Sequence, residues 1–242
     1  MKLNVTPSIW FVLSVRCVSF ITAFILCSLI TQKELVEITH WWTIIAWVIN
    51  MFTIGFLSLI CRRNHTTYRK LIYWRKDKAH FSKGILFIII MILIGIGGMY
   101  LAGALCYARF PYLAPMMIAP LPRSLAIINV FVLPITTTLA EDGLYLGYGV
   151  NNFEVKWTAI LIPAFFYALQ HSFIPTIIDF QHIVYRFLSF FPLTIWICYQ
   201  YYRSKNLRYI MIGHWILNIA TTMQIVMTSF MPEIYKTIST ST

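Results

Sequence analysis

The amino-acid sequence predicts an all-α fold, a polytopic transmembrane helical bundle that forms a single integral membrane domain over 1–242. The first observation behind this prediction is composition, because 59% of the residues are hydrophobic and only 11% are charged, whereas about 25% are charged in an ordinary soluble domain. The second is that the apolar residues form long runs, most of them close to the roughly 20 residues that a helix needs to cross a bilayer. Such runs are too long for barrel strands, which leaves α-helices as the spanning elements.

About seven apolar runs are predicted to span the membrane. The first contains Arg16 and lacks a small-residue cleavage site, so we interpret it as a retained span rather than a signal peptide. Prolines and polar residues in the fourth and fifth runs leave their limits less sharply defined. The number rises to eight if 108–123 also enters the membrane. The seven runs are 8–31, 41–60, 84–105, 124–148, 157–175, 183–202 and 209–231.

Positive charge in one loop predicts the orientation of the bundle. The formal net charge is +11, and the segment 62–83, between the second and third spans, holds eight of the 19 Lys and Arg residues. Cytoplasmic loops of membrane proteins are enriched in Lys and Arg, so we expect a cytoplasmic N-terminus. We also expect this basic loop to contact anionic lipid headgroups. Because the loop lies between two spans, its charge does not indicate a nucleic-acid partner.

Ionisable residues inside the predicted spans concentrate in the second half of the chain. Glu, Asp and His occur in the spans only after residue 124, and Arg16 is the one charged residue deep in the first three spans. Keeping an ionisable side chain at membrane depth is costly, so such residues mark a functional site by default. The sequence therefore suggests scaffold spans and a basic cytoplasmic loop in 1–123, followed by a working core in 124–231.

Each polar motif also has a simple structural interpretation. His214 and Asn218 lie one helical turn apart on the same face, where they could serve only as interhelical hydrogen-bonding groups. Side chains of the neighbours Glu141 and Asp142 diverge by about 100° on a helix. One of them would then face a site while the other contacts a neighbouring helix, unless both are solvated at a helix end. His171 alone could be an interfacial residue.

Taken together, the motifs resemble those of the CPBP family, the intramembrane CAAX-protease and bacteriocin-processing proteins that are also called Abi proteins. The family pattern is EExxxR, then FxxxH, then HxxxN. Here the three motifs read Glu141-Asp142-Gly143-Leu144-Tyr145-Leu146, then Tyr167-Ala168-Leu169-Gln170-His171, then His214-Trp215-Ile216-Leu217-Asn218. The resemblance extends over about 124–225 and implies that 124–231 is a CPBP-like catalytic core.

The resemblance implies a reaction and a role for each residue. The family hydrolyses peptide bonds within the membrane with a water molecule that a glutamate activates. On this chain Glu141 would be the general base, and His171 would hold and polarise the water. His214 and Asn218 would donate hydrogen bonds to the developing oxyanion, a donor pair whose members are typically worth about 10²–10³ in rate each. Asp142 and Tyr167 would support these residues.

The resemblance also implies a substrate class and a location. Family substrates include prenylated CAAX proteins in eukaryotes and bacteriocin precursors or signalling peptides in bacteria. The short chain is similar to the bacterial members, so we expect peptide processing in a bacterial plasma membrane. The expected partners are a membrane-associated peptide or protein substrate and the lipid bilayer.

One departure from the family pattern bears directly on activity. Leu146 stands where the family has arginine, so the fork of donors that a guanidinium offers to a carboxylate is missing at this position. Arg16 or Arg186 could supply the charge from another span. The missing arginine also supports an alternative, a non-catalytic family member that acts as an immunity or regulatory factor.

Two further interpretations use the same residues. Glu141, His171 and His214 could be the ligands of a zinc-dependent membrane protease, although no HExxH motif occurs and we expect no cofactor. The same residues could instead form the proton relay of a transporter, but the sequence contains no inverted repeat.

The five cysteines lack CxxC spacing, so they predict neither disulfides nor a thiolate metal site.

The depth of His171 is a geometric difficulty. In a plain antiparallel ladder Glu141 and His214 lie toward the cytoplasmic side, whereas His171 lies toward the outside. At 1.5 Å per residue the offset could exceed about 10 Å. We therefore expect staggered or tilted helices, with the least accurate limits in 142–156.

Overall fold

The computed structural model describes residues 7–73, 81–110, 112 and 114–241. Over these residues the chain forms ten α-helices and no β-strand, which confirms the predicted all-α fold. They are α1 (Ile9–Thr31), α2 (Leu35–Thr39), α3 (Trp42–Arg63), α4 (Tyr68–Leu71), α5 (Phe81–Tyr107), α6 (Arg123–Glu141), α7 (Lys156–His171), α8 (Phe180–Ser204), α9 (Arg208–Phe230) and α10 (Pro232–Ser241). A 3-10 helix, Pro115–Ile118, and a π-helix, Asp142–Val150, complete the helical structure.

Six helical segments are long and apolar enough to cross a membrane: α1, α3, α5, α8, α9 and the continuous rod Arg123–Val150, which joins α6 to the π-helix. Six of the seven predicted spans thus have a matching helix. The fifth, α7, has only 16 residues, fewer than the roughly 20 that a complete crossing needs. The described part of 108–123 contains only the 3-10 helix Pro115–Ile118, so it adds no eighth span.

The long helices run antiparallel, and contacts at both ends of the bundle connect them. At one end Lys205 Nζ donates to Asn151 Oδ1 at 2.9 Å. This end also carries the described part of the basic loop, and we call it the basic end; residues 74–80 of that loop lie outside the described residues. At the opposite end the Leu121 amide donates to Ser229 Oγ at 2.9 Å. Between the ends α8 packs against α5 and α7, and α6 packs against α3 and α9.

Helix α7 ends inside the bundle, which corrects the prediction of a helix over 157–175. The chain continues through 172–179 without helical structure to reach the opposite end. Such backbone is tolerated at membrane depth only where protein buries it and supplies hydrogen bonds. Arg186 does so, since its Nε donates to the His171 carbonyl at 3.3 Å and its Nη2 to the Ile174 carbonyl at 3.1 Å.

The end of α7 accounts for the depth of His171. The first three residues of α7, 156–158, are exposed at the basic end, and Ala159 is its first buried residue. The helix is therefore staggered relative to its neighbours. Its last residue, His171, lies within the bundle rather than at the outer surface that the plain ladder predicted.

The π-helix packs closely against α4, and two glycines make this contact possible. A Cβ atom at Gly147 would lie 2.7 Å from the carbonyl oxygen of Leu71, and one at Gly143 would collide with the hydroxyl of Tyr68. That hydroxyl donates to the carbonyl of Leu139 at 2.5 Å. Burial raises the pKa of the Tyr68 phenol, so it stays protonated and remains a donor. Short π-helical segments inside helices occur frequently at functional sites, and this one begins directly after Glu141.

Replacing Gly147 by alanine is expected to lower the free energy of unfolding by about 1–3 kcal/mol, the usual cost of overpacking. The added methyl group would press against backbone rather than against a side chain that can move. The matched control is Gly55→Ala, because a Cβ atom there meets nothing within 4 Å. Denaturant unfolding in mixed micelles measures the free energy of unfolding of both variants. Equal values for the two would contradict the close packing of α4 on the π-helix.

A polar layer separates two apolar cores. The core at the basic end includes Leu13, Leu57, Tyr167 and Met211, and the core at the opposite end includes Phe20, Ile49, Ile174 and Ile225. Arg16, Thr53 and His171 each lie between members of the two cores along the chain. The polar residues of α1, α3 and α7 are therefore at the middle depth of the bundle, where uncompensated charge is most costly.

Candidate active site

Glu141 is the centre of the polar layer. Its side chain is 1% exposed, and its Oε1 accepts a hydrogen bond from Arg16 Nη2 at 3.0 Å. Its Oε2 lies 3.7 Å from His214 Nε2 and 3.9 Å from His171 Nε2. This oxygen forms no hydrogen bond with any described residue. The sequence motifs of α6, α7 and α9 thus meet at one carboxylate oxygen.

Asp142 contacts the other side of the His214 ring. Its Oδ1 lies 3.3 Å from His214 Nδ1 and accepts a hydrogen bond from the Tyr167 hydroxyl at 3.0 Å. The same hydroxyl lies 3.3 Å from His214 Nδ1. The two adjacent carboxylates therefore approach opposite nitrogens of one imidazole. Both are buried, which rules out the interpretation of a solvated helix end.

His171 is held by stacking and through its backbone. Its ring stacks on Phe190, with centroids 3.7 Å apart and an interplanar angle of 10°. The guanidinium of Arg186 lies 4.9 Å from the centroid of the same Phe190 ring, and its Nε bonds to the His171 carbonyl. Residues of α8 therefore determine where the end of α7 presents its imidazole.

Arg16 brings the first half of the chain into the site. Besides Glu141, it donates from Nε to Gln170 Oε1 at 2.5 Å and from Nη1 to Thr53 Oγ1 at 3.1 Å. Of the two arginines that could replace the missing family arginine, Arg16 contacts the glutamate and Arg186 contacts backbone carbonyls. Leu146 itself is fully buried in the apolar core. Arg16 thus extends the polar network from 124–231 into the part of the chain that was predicted to be scaffold.

Sequence reasoning missed two residues of this network. Gln170 is fully buried, accepts from Arg16 and lies 3.3 Å from the Tyr145 hydroxyl. Its place directly before His171 in an apolar helix was a signal that could have identified it. Thr53 offers no comparable signal, because its hydroxyl also bonds to the Ile49 carbonyl one turn back, at 2.7 Å, as many helical threonines do.

A cavity of about 370 Å³ opens beside these residues. Its polar wall is formed by Arg16, Glu141, Tyr167, His171, His214 and Asn218. Asn218 thus lines the same cavity as the other predicted residues, although its buried Nδ2 bonds to no described residue. Most other lining side chains are apolar. Two of them, Ile96 of α5 and Ile216 of α9, are also exposed on the outer surface of the bundle.

Within the described residues, no group of three His, Cys, Asp or Glu side chains has a geometry suited to a metal ion. Glu141 instead has an arginine on one oxygen and two imidazoles near the other. Such an arrangement can orient a carboxylate and hold a small polar molecule between acceptor and donor groups.

Replacing Arg186 by leucine is expected to lower the free energy of unfolding by about 3 kcal/mol or more, because two buried carbonyls lose charged donors worth roughly 1.5–3 kcal/mol each. The end of α7 that carries His171 should also lose its fixed position, because both donors to its backbone are removed. The matched control is Arg203→Leu on the same helix, where the side chain is exposed and, among the described residues, contacts the Tyr199 hydroxyl and ring. If both variants unfold at the same denaturant concentration, Arg186 does not stabilise the end of α7.

One comparison with known proteins found a match for this part of the chain. Residues 123–220 match the family model described as Rce1-like, type II CAAX prenyl endopeptidase Rce1-like. Searches of curated proteins and of solved structures found no match. The six apolar helices and the family match together identify a multi-pass membrane protein. The segment 123–220, which contains all six predicted site residues, is therefore similar to the Rce1-like type II CAAX prenyl endopeptidases.

Proposed function

We propose that this protein is an intramembrane endopeptidase that hydrolyses a peptide bond through a water molecule activated by Glu141. The observation that carries the proposal is the position of Glu141, which lines the cavity and whose Oε2 lies 3.7 Å from His214 Nε2 and 3.9 Å from His171 Nε2. These separations exceed direct hydrogen bonds. They are of a length at which one water molecule commonly bridges two polar groups.

Glu141 acts as the general base in this mechanism. It removes a proton from the water while the water oxygen attacks the carbonyl carbon of the scissile bond. The tetrahedral intermediate then collapses, the C–N bond breaks, and Glu141 returns the proton to the leaving amine. His171 Nε2 holds the water during the attack, and its stacking on Phe190 fixes the direction of that nitrogen.

His214 and Asn218 stabilise the oxyanion. In its protonated form His214 donates from Nδ1 to Asp142, at 3.3 Å, and its Nε2 remains available for the negatively charged oxygen. Asn218 lies one turn further along α9 and lines the same cavity, and its buried Nδ2 bonds to no described residue. Asp142 and Tyr167 orient the His214 ring, so their role is positioning.

Arg16 takes the place of the family arginine in this proposal. By binding Oε1 of Glu141 at 3.0 Å, it leaves Oε2 directed at the two histidines. It also keeps the carboxylate charge compensated inside the membrane, where an unpaired charge is costly. This contact supports an active site over a degenerate one, because the charge missing at Leu146 is supplied from α1.

The substrate class follows from the cavity and its surroundings. Its lining is mostly apolar, and Ile96 and Ile216 connect it to the outer surface between α5 and α9. A membrane-associated peptide or protein could therefore reach Glu141 from the bilayer, and prenylated CAAX proteins are the class that the family description names. The proposed setting is a bacterial plasma membrane, with the N-terminus and the basic end in the cytoplasm.

Purified protein in liposomes, incubated with membrane-anchored peptides, tests this function. We expect cleavage products by mass spectrometry, with a rate that o-phenanthroline leaves unchanged, and loss of cleavage in His171→Ala. If chelation stops cleavage and zinc restores it, the zinc-dependent alternative is correct. If folded protein cleaves no peptide or prenylated protein in a broad membrane-anchored library, the non-catalytic alternative is correct.

A further inference from the structure

A second cavity lies beside Gly147 and Asn151, near the end of the π-helix that is farther along the chain from Glu141. Its volume is about 210 Å³, several times the roughly 30 Å³ that one water molecule occupies in the liquid. Leu71 and Gly147 line it, together with the polar residues Lys70, Tyr73, Asn151, Tyr201 and Lys205. We call it the basic-end pocket.

The polar groups of the basic-end pocket suit an anion. Two of its lining residues are lysines, from α4 and from the end of α8, and none of its described lining residues is Asp or Glu. Lys205 Nζ is fixed by its hydrogen bond to Asn151 Oδ1 and lies 4.9 Å from the centroid of the Tyr202 ring. An ammonium group has three donors, and the bond to Asn151 uses only one. A compact anion between the lysines would therefore meet two ammonium groups, of which that of Lys205 is already held by protein contacts.

The pocket lies at the boundary of the membrane. Lys205 directly follows the end of α8 at Ser204, and Asn151 directly follows the end of the rod Arg123–Val150. Tyr73 is 60% exposed and stands next to the pocket. Tyrosines and lysines at the ends of spans typically lie at the level of lipid headgroups, where phosphate is the commonest anionic group.

We infer that the basic-end pocket binds a phosphate group between Lys70 and Lys205. The position at the headgroup level points to an anionic phospholipid as the source of that group, and a free phosphate ion would satisfy the same chemistry. The lysines come from two segments that meet only in the folded bundle, so binding stabilises the packing of α4 against the π-helix. The inference concerns a site separate from Glu141, and its test needs no peptide cleavage.

Thermal unfolding of the full-length protein in micelles, titrated with phosphatidylglycerol, phosphatidylcholine or inorganic phosphate, tests the inference. For the wild type we expect phosphatidylglycerol to raise the unfolding temperature clearly more than phosphatidylcholine does. In Lys70→Gln/Lys205→Gln the apparent affinity for phosphatidylglycerol should fall about tenfold or more, since charged hydrogen bonds of this kind are lost. The matched control, Arg62→Gln/Arg63→Gln, removes the same charge from the exposed end of α3 and should bind as the wild type does.

Each outcome decides between binding in the pocket and general attraction to the basic surface. Equal losses in the two double variants, or equal stabilisation by both lipids, would overturn the inference. Stabilisation by inorganic phosphate at the concentrations effective for phosphatidylglycerol would support the pocket but identify a free ion as its ligand. If the lysine double variant does not fold, Lys70→Gln alone leaves the Lys205–Asn151 bond intact, and unchanged affinity in that variant would also overturn the inference.

Discussion

Replacing Glu141 by glutamine is expected to lower kcat/KM for peptide hydrolysis by about 10²–10⁴-fold, the usual contribution of a positioned general base. Glutamine has nearly the same shape and can still accept a hydrogen bond from Arg16, but its amide cannot take a proton from water. The carboxylate is 1% exposed and faces two imidazoles, so no bulk solvent replaces it as a base. Cleavage of a membrane-anchored peptide in liposomes measures the loss.

The control for this variant is Glu233→Gln, since Glu233 is 79% exposed on α10 and, among the described residues, pairs with Lys236. The control should retain full activity. Both variants should insert into the membrane, fold, and unfold as the wild type does. Glu141→Gln that cleaves peptide at the wild-type rate would contradict the proposed mechanism. Cleavage that is lost equally in Glu233→Gln would show that the assay responds to general damage rather than to the site.

Replacing Arg16 by leucine is expected to lower the free energy of unfolding by about 3–5 kcal/mol, because removing one partner of a buried ion pair leaves the other charge uncompensated. Three acceptors lose their donors at once: Glu141 Oε1, Gln170 Oε1 and Thr53 Oγ1. Cleavage should also be lost, since Oε2 of Glu141 is no longer directed at the histidines. Unfolding in mixed micelles and the liposome assay measure the two effects.

A double-mutant cycle separates the ion pair from the rest of the packing. Arg16→Leu/Glu141→Gln removes both charges, so it should be more stable than the sum of the single changes predicts, by about 0.5–3 kcal/mol. Arg16→Lys keeps the charge without the planar fork of donors and should lie between the wild type and Arg16→Leu. Additive effects in the cycle would mean that Arg16 and Glu141 do not interact as the 3.0 Å contact indicates.

The fold was predictable from the sequence because membrane spans obey a simple local rule. Apolar runs of the right length must form helices that satisfy their own backbone, and six of the seven predicted runs do so. The exception is α7, whose end at His171 depends on Arg186, fifteen residues further along the chain. No local pattern before Pro175 indicates that distant donors will satisfy the released carbonyls.

The candidate site likewise has a part that the sequence predicted and a part that only the structure shows. Glu141, His171 and His214 were recognisable by their spacing, since each motif is local and the residues between them are mostly apolar. The contact of Arg16 with Glu141 joins residues 125 positions apart, and the sequence offered Arg186 as an equal alternative. Which arginine reaches the carboxylate depends on how α1 and α8 pack. The sequence of a single segment does not determine how whole helices pack.

By itself, the sequence determined the all-α membrane fold, the motifs of the candidate site and the concentration of positive charge in one loop. Each of these depends on the order of residues within one segment. Only the tertiary structure decided that Arg16 supplies the charge absent at Leu146, that α7 ends at middle depth, and that α4 packs on the glycines of the π-helix. These features depend on contacts between segments far apart in the chain, where burial and hydrogen bonding select one arrangement among several that the sequence allows.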